Sequence, residues 1–336
     1  MTAQHRQLVV TLNCTEFVEH FAACSALPVE VRHLKFDIPW QEIAARRSGQ
    51  VSGADAVSDE LRAAFYEAEV MFAFAPPRGV AQLAPKLRWV ETPATGYDQL
   101  NGTGLLESEV TVTTVGGLFA GTVAEQAFAL LLSLTRRSSE FRALQLVSTW
   151  KPLPVRELEE MTLGIVGLGN IGRAVAKRAK SFGMCVLAAR RVAEGMGRDV
   201  DAIFSFAQLK EMLSQADVVI VSVTGTAETT NLLDSAELAA MKPGALLINV
   251  ARGIVVNETA LLAALRSGHL GGAGLDVFAR EPLPSDHPLW SLPNVILTPH
   301  VAITTPSRMP RAITHFVTNL RRYCSGEPLQ DVVNRS

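Results

Sequence analysis

The chain alternates short, almost wholly apolar runs with longer stretches in which apolar residues recur at helical spacing. That is the pattern of βα units stacked on parallel sheets buried on both faces. In the first third, residues 7–12, 70–75 (VMFAFA), 88–92 and 110–115 read as strands. Residues 15–26 and 59–68 read as helices, the first ended by Pro28 and the second capped by Ser58 or Asp59, with a short helix over 80–87 interrupted at Pro85. Residues 123–137 (VAEQAFALLLSLTRR) are apolar almost all round, which predicts a helix buried on most sides. Beyond it, strands over 162–166, 185–189, 217–223, 245–250, 274–277 and 294–298 alternate with helices over 173–182, 206–213, 234–241 and 257–267. The predicted fold class is α/β with doubly wound parallel sheets.

Several loops after these strands carry chemistry. The stretch 161–172, MTLGIVGLGNIG, runs from a strand into a helix through Gly167, Gly169 and Gly172. The first glycine permits a tight turn, the second lets a pyrophosphate approach the backbone, and the third lets helix and strand pack closely. Asn170 and Ile171 open the helix, whose free N–H groups would face the phosphates. Thr122, at the start of the apolar helix, either caps it or meets a phosphate. At the end of the next strand, where an acidic residue would accept hydrogen bonds from ribose hydroxyls, stand Arg190 and Arg191. Guanidinium groups there suit a 2′-phosphate, so the reading favours NADP(H); NAD(H) is the alternative if both arginines are only solvated. The loop 93–98 offers Thr95 and Gly96 either as holders of a substrate carboxylate through backbone N–H groups or as a plain turn.

Length and composition narrow the partners. A chain of 336 residues, 48% hydrophobic and 19% charged, has room for about two globular domains. A net charge of −2 gives no field for nucleic acid or an anionic membrane, and a small molecule is the expected partner. The absence of a signal-like N-terminus or spanning apolar stretch leads to the expectation of a cytoplasmic protein. Cys14, Cys24, Cys185 and Cys324 lack metal-ligand or disulfide spacing and read as small, mostly buried thiols; no metal is expected.

Three consecutive strands then deliver Arg252, Glu281 and His300. Parallel strands bring their C-terminal ends to one edge of the sheet, so the three residues are expected to meet there. Reduction of a 2-keto acid places negative charge on the carbonyl oxygen and needs a proton. His300 would supply it, Glu281 would orient the ring and sustain its charge, and Arg252 would clamp the carboxylate and polarise the carbonyl.

With these residues in hand, the chain resembles the D-isomer-specific 2-hydroxyacid dehydrogenase family through LGIVGLGNIGR (163–173), LLINVARGIVVNETALLAAL (246–265), GAGLDVFAREPLP (272–284) and HPLWSLPNVILTPH (287–300). The resemblance spans essentially the whole chain, including residues 122–137 and a C-terminal helix over 311–324. It implies two Rossmann-like or flavodoxin-like domains, the coenzyme domain (105–300) inserted in the substrate domain (1–104 with 301–336), a cleft between them and a homodimer. It also implies that Arg252, Glu281 and His300 are the catalytic set, that Thr95 and Gly96 hold the carboxylate, and that Asp276 approaches the nicotinamide amide. Thr224, after the strand over 217–223, is expected beside the cofactor, and Trp290 either lines the substrate pocket or packs. The sequence departs from the family pattern at Ala302-Ile303, where glycines are common, and at Ser222-Val223-Thr224, in place of His-x-Pro. Arg190 resembles the NADPH-using glyoxylate and hydroxypyruvate reductase branch. The remaining alternatives are an NAD-dependent enzyme of another D-2-hydroxy acid, such as phosphoglycerate, and a dinucleotide-binding regulator like the family's corepressor relatives.

Overall fold

Short runs of mostly aliphatic residues, buried in the central strands of the second sheet, set two parallel sheets. The computed structural model describes residues 9–12, 18–36, 38–47, 49, 55–192 and 197–334. Cys14, the first two residues of the strand expected over 7–12 and the start of the helix expected over 15–26 lie outside the described residues. The chain divides into two compact units, Met1–Phe119 with Thr304–Ser336, and Ala120–Ile303.

In the first unit, β1 (Val9–Leu12), β2 (Glu30–His33), β3 (Val70–Phe72), β4 (Trp89–Glu91) and β5 (Thr111–Thr113) form a parallel sheet in the order β2-β1-β3-β4-β5. Helices α1 (Trp40–Arg47), α2 (Asp59–Glu67) and α3 (Val80–Leu83) connect the strands. Ser58 caps α2, its hydroxyl accepting the Leu61 N–H at 3.3 Å. The segment Val18–Ala26 winds as a 3-10 helix. Because β5 pairs with β4, with Thr111 opposite Trp89, the expected boundary at 104 cuts this sheet and the crossing between units comes later, after Phe119. The return is likewise at Thr304 rather than 301.

The second unit begins with α4 (Ala120–Thr135) and α5 (Ser138–Leu146). There follow β6 (Thr162–Val166), α6 (Asn170–Ser181), β7 (Cys185–Arg190), β8 (Ala202–Ser205), α7 (Leu209–Leu213) and β9 (Val218–Val221). Then come α8 (Ser235–Ala240), β10 (Ala245–Asn249), α9 (Glu258–Arg266), β11 (Leu270–Leu275) and β12 (Val295–Leu297). The sheet order is β12-β11-β10-β9-β6-β7-β8, every pair parallel. The chain leaves β6 to one side through β7 and β8, then returns to the other through β9, so a topological switch point lies between β6 and β9.

Both faces of this sheet are covered. Leu163, Ile165, Val218, Ile220, Leu246 and Ile248 point into one apolar layer with α4 and α6, whereas Val219, Val221 and Leu247 point into the other. β11 is glycine-rich because α4 lies directly on it: a Cβ at Gly274 would come within 2.7 Å of Leu130 Cβ. The chain finally re-enters the first unit as α10 (Arg308–Ser325), whose buried Ala312, Ile313, Phe316, Val317 and Leu320 recur at helical spacing. Phe316 stacks on Trp89 with centroids 5.2 Å apart. The tail beyond it lies antiparallel to β5, Val333 N–H donating to Val112 O at 2.8 Å, and so covers that sheet edge.

Candidate active site

The glycine loop occupies the switch point and fits a dinucleotide. Gly167 has φ +103°, and a Cβ there would meet Val223 N at 2.8 Å, so the turn requires glycine. A Cβ at Gly172 would lie 2.0 Å from Gly167 O, which ties the first turn of α6 to the loop. At Gly169 nothing stands within 4 Å of the added carbon: the missing side chain leaves open space at the N-terminus of α6, where backbone N–H groups receive anions. Asn170 and Ile171 form the start of that helix. Ser222, one of the departures from the family pattern, donates its hydroxyl to Gly167 O at 2.8 Å and so ties the end of β9 to the loop.

Arg190 is the last residue of β7, opposite Ser205 in β8, and its buried Nε has no hydrogen-bond partner. Arg191 points elsewhere, forming a 2.9 Å pair with Glu228 in which both side chains are about 70% exposed. Such a pair contributes little. Thr122 is neither first in its helix nor a cap, since α4 already begins at Ala120. Thr224 is exposed, and its carbonyl accepts the Thr229 hydroxyl at 2.6 Å.

At the C-terminal ends of β10, β11 and β12 the structure brings the expected acid–base pair together. His300 Nδ1 lies 2.8 Å from Glu281 Oε2, and Glu281 Oε1 accepts the Phe278 N–H at 3.1 Å, which fixes the carboxylate. The two side chains are 18% and 11% exposed, enough to keep the ring accessible in a largely dry setting. His300 itself is left-handed, φ +53°, a conformation histidine adopts more readily than most residues. Asp276 holds it there. Its buried carboxylate accepts the Thr298 hydroxyl at 2.6 Å and the N–H groups of Val301 and Ala302, each at 3.0 Å, while its carbonyl accepts the His300 N–H at 2.8 Å. Burial pushes the Asp276 carboxyl above its ordinary range, against the pull of these three donors. Thr298 in turn is bonded by Gln126 of α4 at 2.9 Å. Ala302, in place of the family's glycine, is 7% exposed and packs in the core beside Ile303.

Arg252 stands one turn beyond β10. Asn249 locks that turn, its Oδ1 accepting the Ala251 N–H and its Nδ2 donating to Arg252 O, both at 3.0 Å. Gly253 is needed because a Cβ would lie 1.8 Å from Phe278 C, where the ends of β10 and β11 converge. Gly225 approaches the Arg252 stem, leaving only 2.8 Å from an added Cβ to Cγ. Asn249, Gly225 and Thr298 carry no role in the sequence reading; an asparagine closing an apolar strand beside Arg252 is the one available signal. Trp290 stays outside this network, 57% exposed with its indole N–H donated to Pro284 O.

In the first unit, Thr95 and Gly96 follow β4. The Thr95 hydroxyl is buried without a partner, and Gly96 O accepts Gln99 Nε2 at 3.1 Å. Of the described cysteines only Cys24 is buried, its thiol pushed up to about 11 by that burial; Cys185 and Cys324 are exposed, contrary to expectation.

Residues 128–302 match the D-isomer specific 2-hydroxyacid dehydrogenase, NAD binding domain. A glyoxylate reductase of Korarchaeum cryptofilum is 37% identical over 265 residues, covering 76% of this chain and 79% of that protein. The chain belongs to the D-isomer-specific 2-hydroxyacid dehydrogenase family. Two solved structures extend the likeness over 98% of this dehydrogenase. A family member from Aeromonas salmonicida has a TM-score of 0.79 at 30% identity, covering 98% of this chain and 100% of its own. An NADPH-dependent glyoxylate/hydroxypyruvate reductase from Sinorhizobium meliloti, in complex with NADP and sulfate, has a TM-score of 0.79 at 26% identity, covering 98% and 99%. This dehydrogenase is therefore an oxidoreductase with a nicotinamide-dinucleotide domain and two-domain α/β architecture. Among the described residues no helix is long and apolar enough to cross a membrane.

Proposed function

We propose that this dehydrogenase reduces a small 2-keto acid of the glyoxylate or hydroxypyruvate type to the D-2-hydroxy acid, with NADPH as the favoured reductant. The observation that carries the reading is the Glu281–His300 pair at 2.8 Å, delivered with Arg252 by three adjacent strands of the sheet whose switch point holds the glycine loop. The reduced nicotinamide supplies a hydride when bound. Glu281 accepts from Nδ1–H of His300, which leaves Nε2 as the nitrogen that gives a proton to the forming alkoxide and takes it back in the reverse direction. Arg252 polarises the carbonyl and binds the carboxylate, its stem held by Gly225 and its backbone by Asn249. Thr95, whose buried hydroxyl lacks a partner, and Gly96 remain the proposed holders of a substrate carboxylate. Asp276 acts by fixing the turn that presents His300, and it remains the proposed neighbour of the carboxamide. The preference for NADPH rests on Arg190, whose buried, partnerless Nε suits a phosphate oxygen, and gains support from the NADP in the Sinorhizobium neighbour.

The expected homodimer has a specific surface. α5 buries none of its residues, and Phe141, Leu146, Val147 and Trp150 are all exposed, Trp150 completely. An apolar patch of this kind on an isolated chain marks an interaction face, and we assign it to a second copy.

The test is turnover of glyoxylate and hydroxypyruvate with NADPH and NADH, in the wild type and Arg190→Asp. The expected result is turnover favouring NADPH, with the preference lost or reversed in the variant. Tight dinucleotide binding with no turnover of either acid overturns the enzymatic reading, and unchanged discrimination in Arg190→Asp removes that residue from cofactor choice.

A further inference from the structure

The ring of Phe74, just beyond β3, is flanked by two guanidinium groups: Arg308 Cζ lies 5.6 Å and Arg47 Cζ 5.7 Å from its centroid. β3 pairs with β4, so the loops that follow them, carrying Phe74 and Thr95, share one edge of the first sheet. Arg47 has charge compensation, with Asp98 at 3.9 Å and both side chains 12% exposed, and it also lies over the Trp40 ring at 5.0 Å. Arg308 has none. Among the described residues it forms no ion pair, its Nε is buried without a hydrogen-bond partner, and burial lowers its pKa from the ordinary arginine value. A half-buried guanidinium without a counter-charge is costly, and an aromatic face offsets only part of that cost. The buried Thr95 hydroxyl, in the loop after β4, also lacks a hydrogen-bond partner. Counting Arg47, Asp98 and Arg308, the edge carries one uncompensated positive charge.

We propose that Arg308 binds a second anionic group on the substrate, the distal carboxylate of a 2-keto dicarboxylic acid. The inference rests on the 2-keto acid reductase reading and extends its substrate class beyond glyoxylate and hydroxypyruvate, neither of which carries a second carboxylate. A guanidinium matches a carboxylate bidentately, and Arg308 stands on the first turn of α10.

The experiment compares kcat/KM for substrates matched in length, 2-oxoglutarate against 2-oxopentanoate and oxaloacetate against 2-oxobutanoate, in wild type, Arg308→Met and Arg308→Lys. Wild type is expected to favour the dicarboxylate in at least one pair. A charge-assisted hydrogen bond corresponds to a ratio of roughly 10- to 100-fold; Arg308→Met is expected to remove that preference, and Arg308→Lys to retain part of it. A wild type with no dicarboxylate preference in either pair, or a preference that survives in a normally melting Arg308→Met, overturns the inference. If Arg308→Met fails to fold, the wild-type and Arg308→Lys ratios decide in the same way. Failure to turn over any 2-keto acid, glyoxylate and hydroxypyruvate included, overturns the reductase reading itself and is thereby distinguished from failure of the dicarboxylate assignment alone.

Discussion

Gly169 and Gly172 look alike in the loop motif but answer to different constraints. An alanine at Gly169 meets nothing within 4 Å, and the backbone there is extended, so Gly169→Ala is expected to melt like the wild type. Its methyl group takes space a pyrophosphate would use. Losing one charge-assisted hydrogen bond weakens Kd roughly tenfold or more. Gly172→Ala instead drives a carbon to 2.0 Å from Gly167 O and is expected to cost about 1–3 kcal/mol of stability as the backbone shifts. Thermal melting and dinucleotide titration of the two variants check this; equal melting temperatures would show that the third glycine is not there for packing.

At the scale of elements, α10 is clamped to the first sheet through a partly buried ionic network. His315 places Nδ1 3.0 Å from Glu91 of β4 and Nε2 3.0 Å from Asp331 of the tail, while Asn319 donates to Glu91 at 2.8 Å. The hydrogen bond to Glu91, ahead of the pull of Asp331, raises the His315 pKa against its burial. Folding therefore takes up a proton. The contribution is complete below the unfolded imidazole value of about 6.5 and is lost as pH rises through the higher folded value. Melting temperature is expected to fall from about pH 6 to about pH 9 more steeply in the wild type than in His315→Gln; parallel curves would remove His315 from the clamp. This network also shows what the sequence could not disclose, because Glu91 and His315 are 224 positions apart and neither lies in a motif. Strands that are continuous apolar runs, such as β6, β9 and β10, were legible to within a residue or two. β2 is not, since Glu-Val-Arg-His is an edge strand with no apolar run, and β11 begins four residues ahead of the expected 274–277, a start hidden because its glycines carry no strand propensity. The His300–Glu281 pairing was legible from strand order alone. Arg191 was not, because charge at a strand end does not reveal direction, and the structure pairs it with Glu228.

For the whole molecule, the apolar face of α5 and Trp150 predicts self-association. Sedimentation is expected to give a dimer for the wild type and a shift towards monomer for Trp150→Asp, whereas a monomeric wild type would contradict the assignment. The central claim is chemical: His300, held by Glu281 and by the Asp276 turn, is the proton donor for reduction of a 2-keto acid. The direct test is the kcat of His300→Gln beside the wild type, with NADPH and glyoxylate or hydroxypyruvate, together with dinucleotide affinity. The account predicts a fall of roughly 10²- to 10⁴-fold in kcat with affinity for the dinucleotide kept. A His300→Gln enzyme that turns over as fast as the wild type would contradict it.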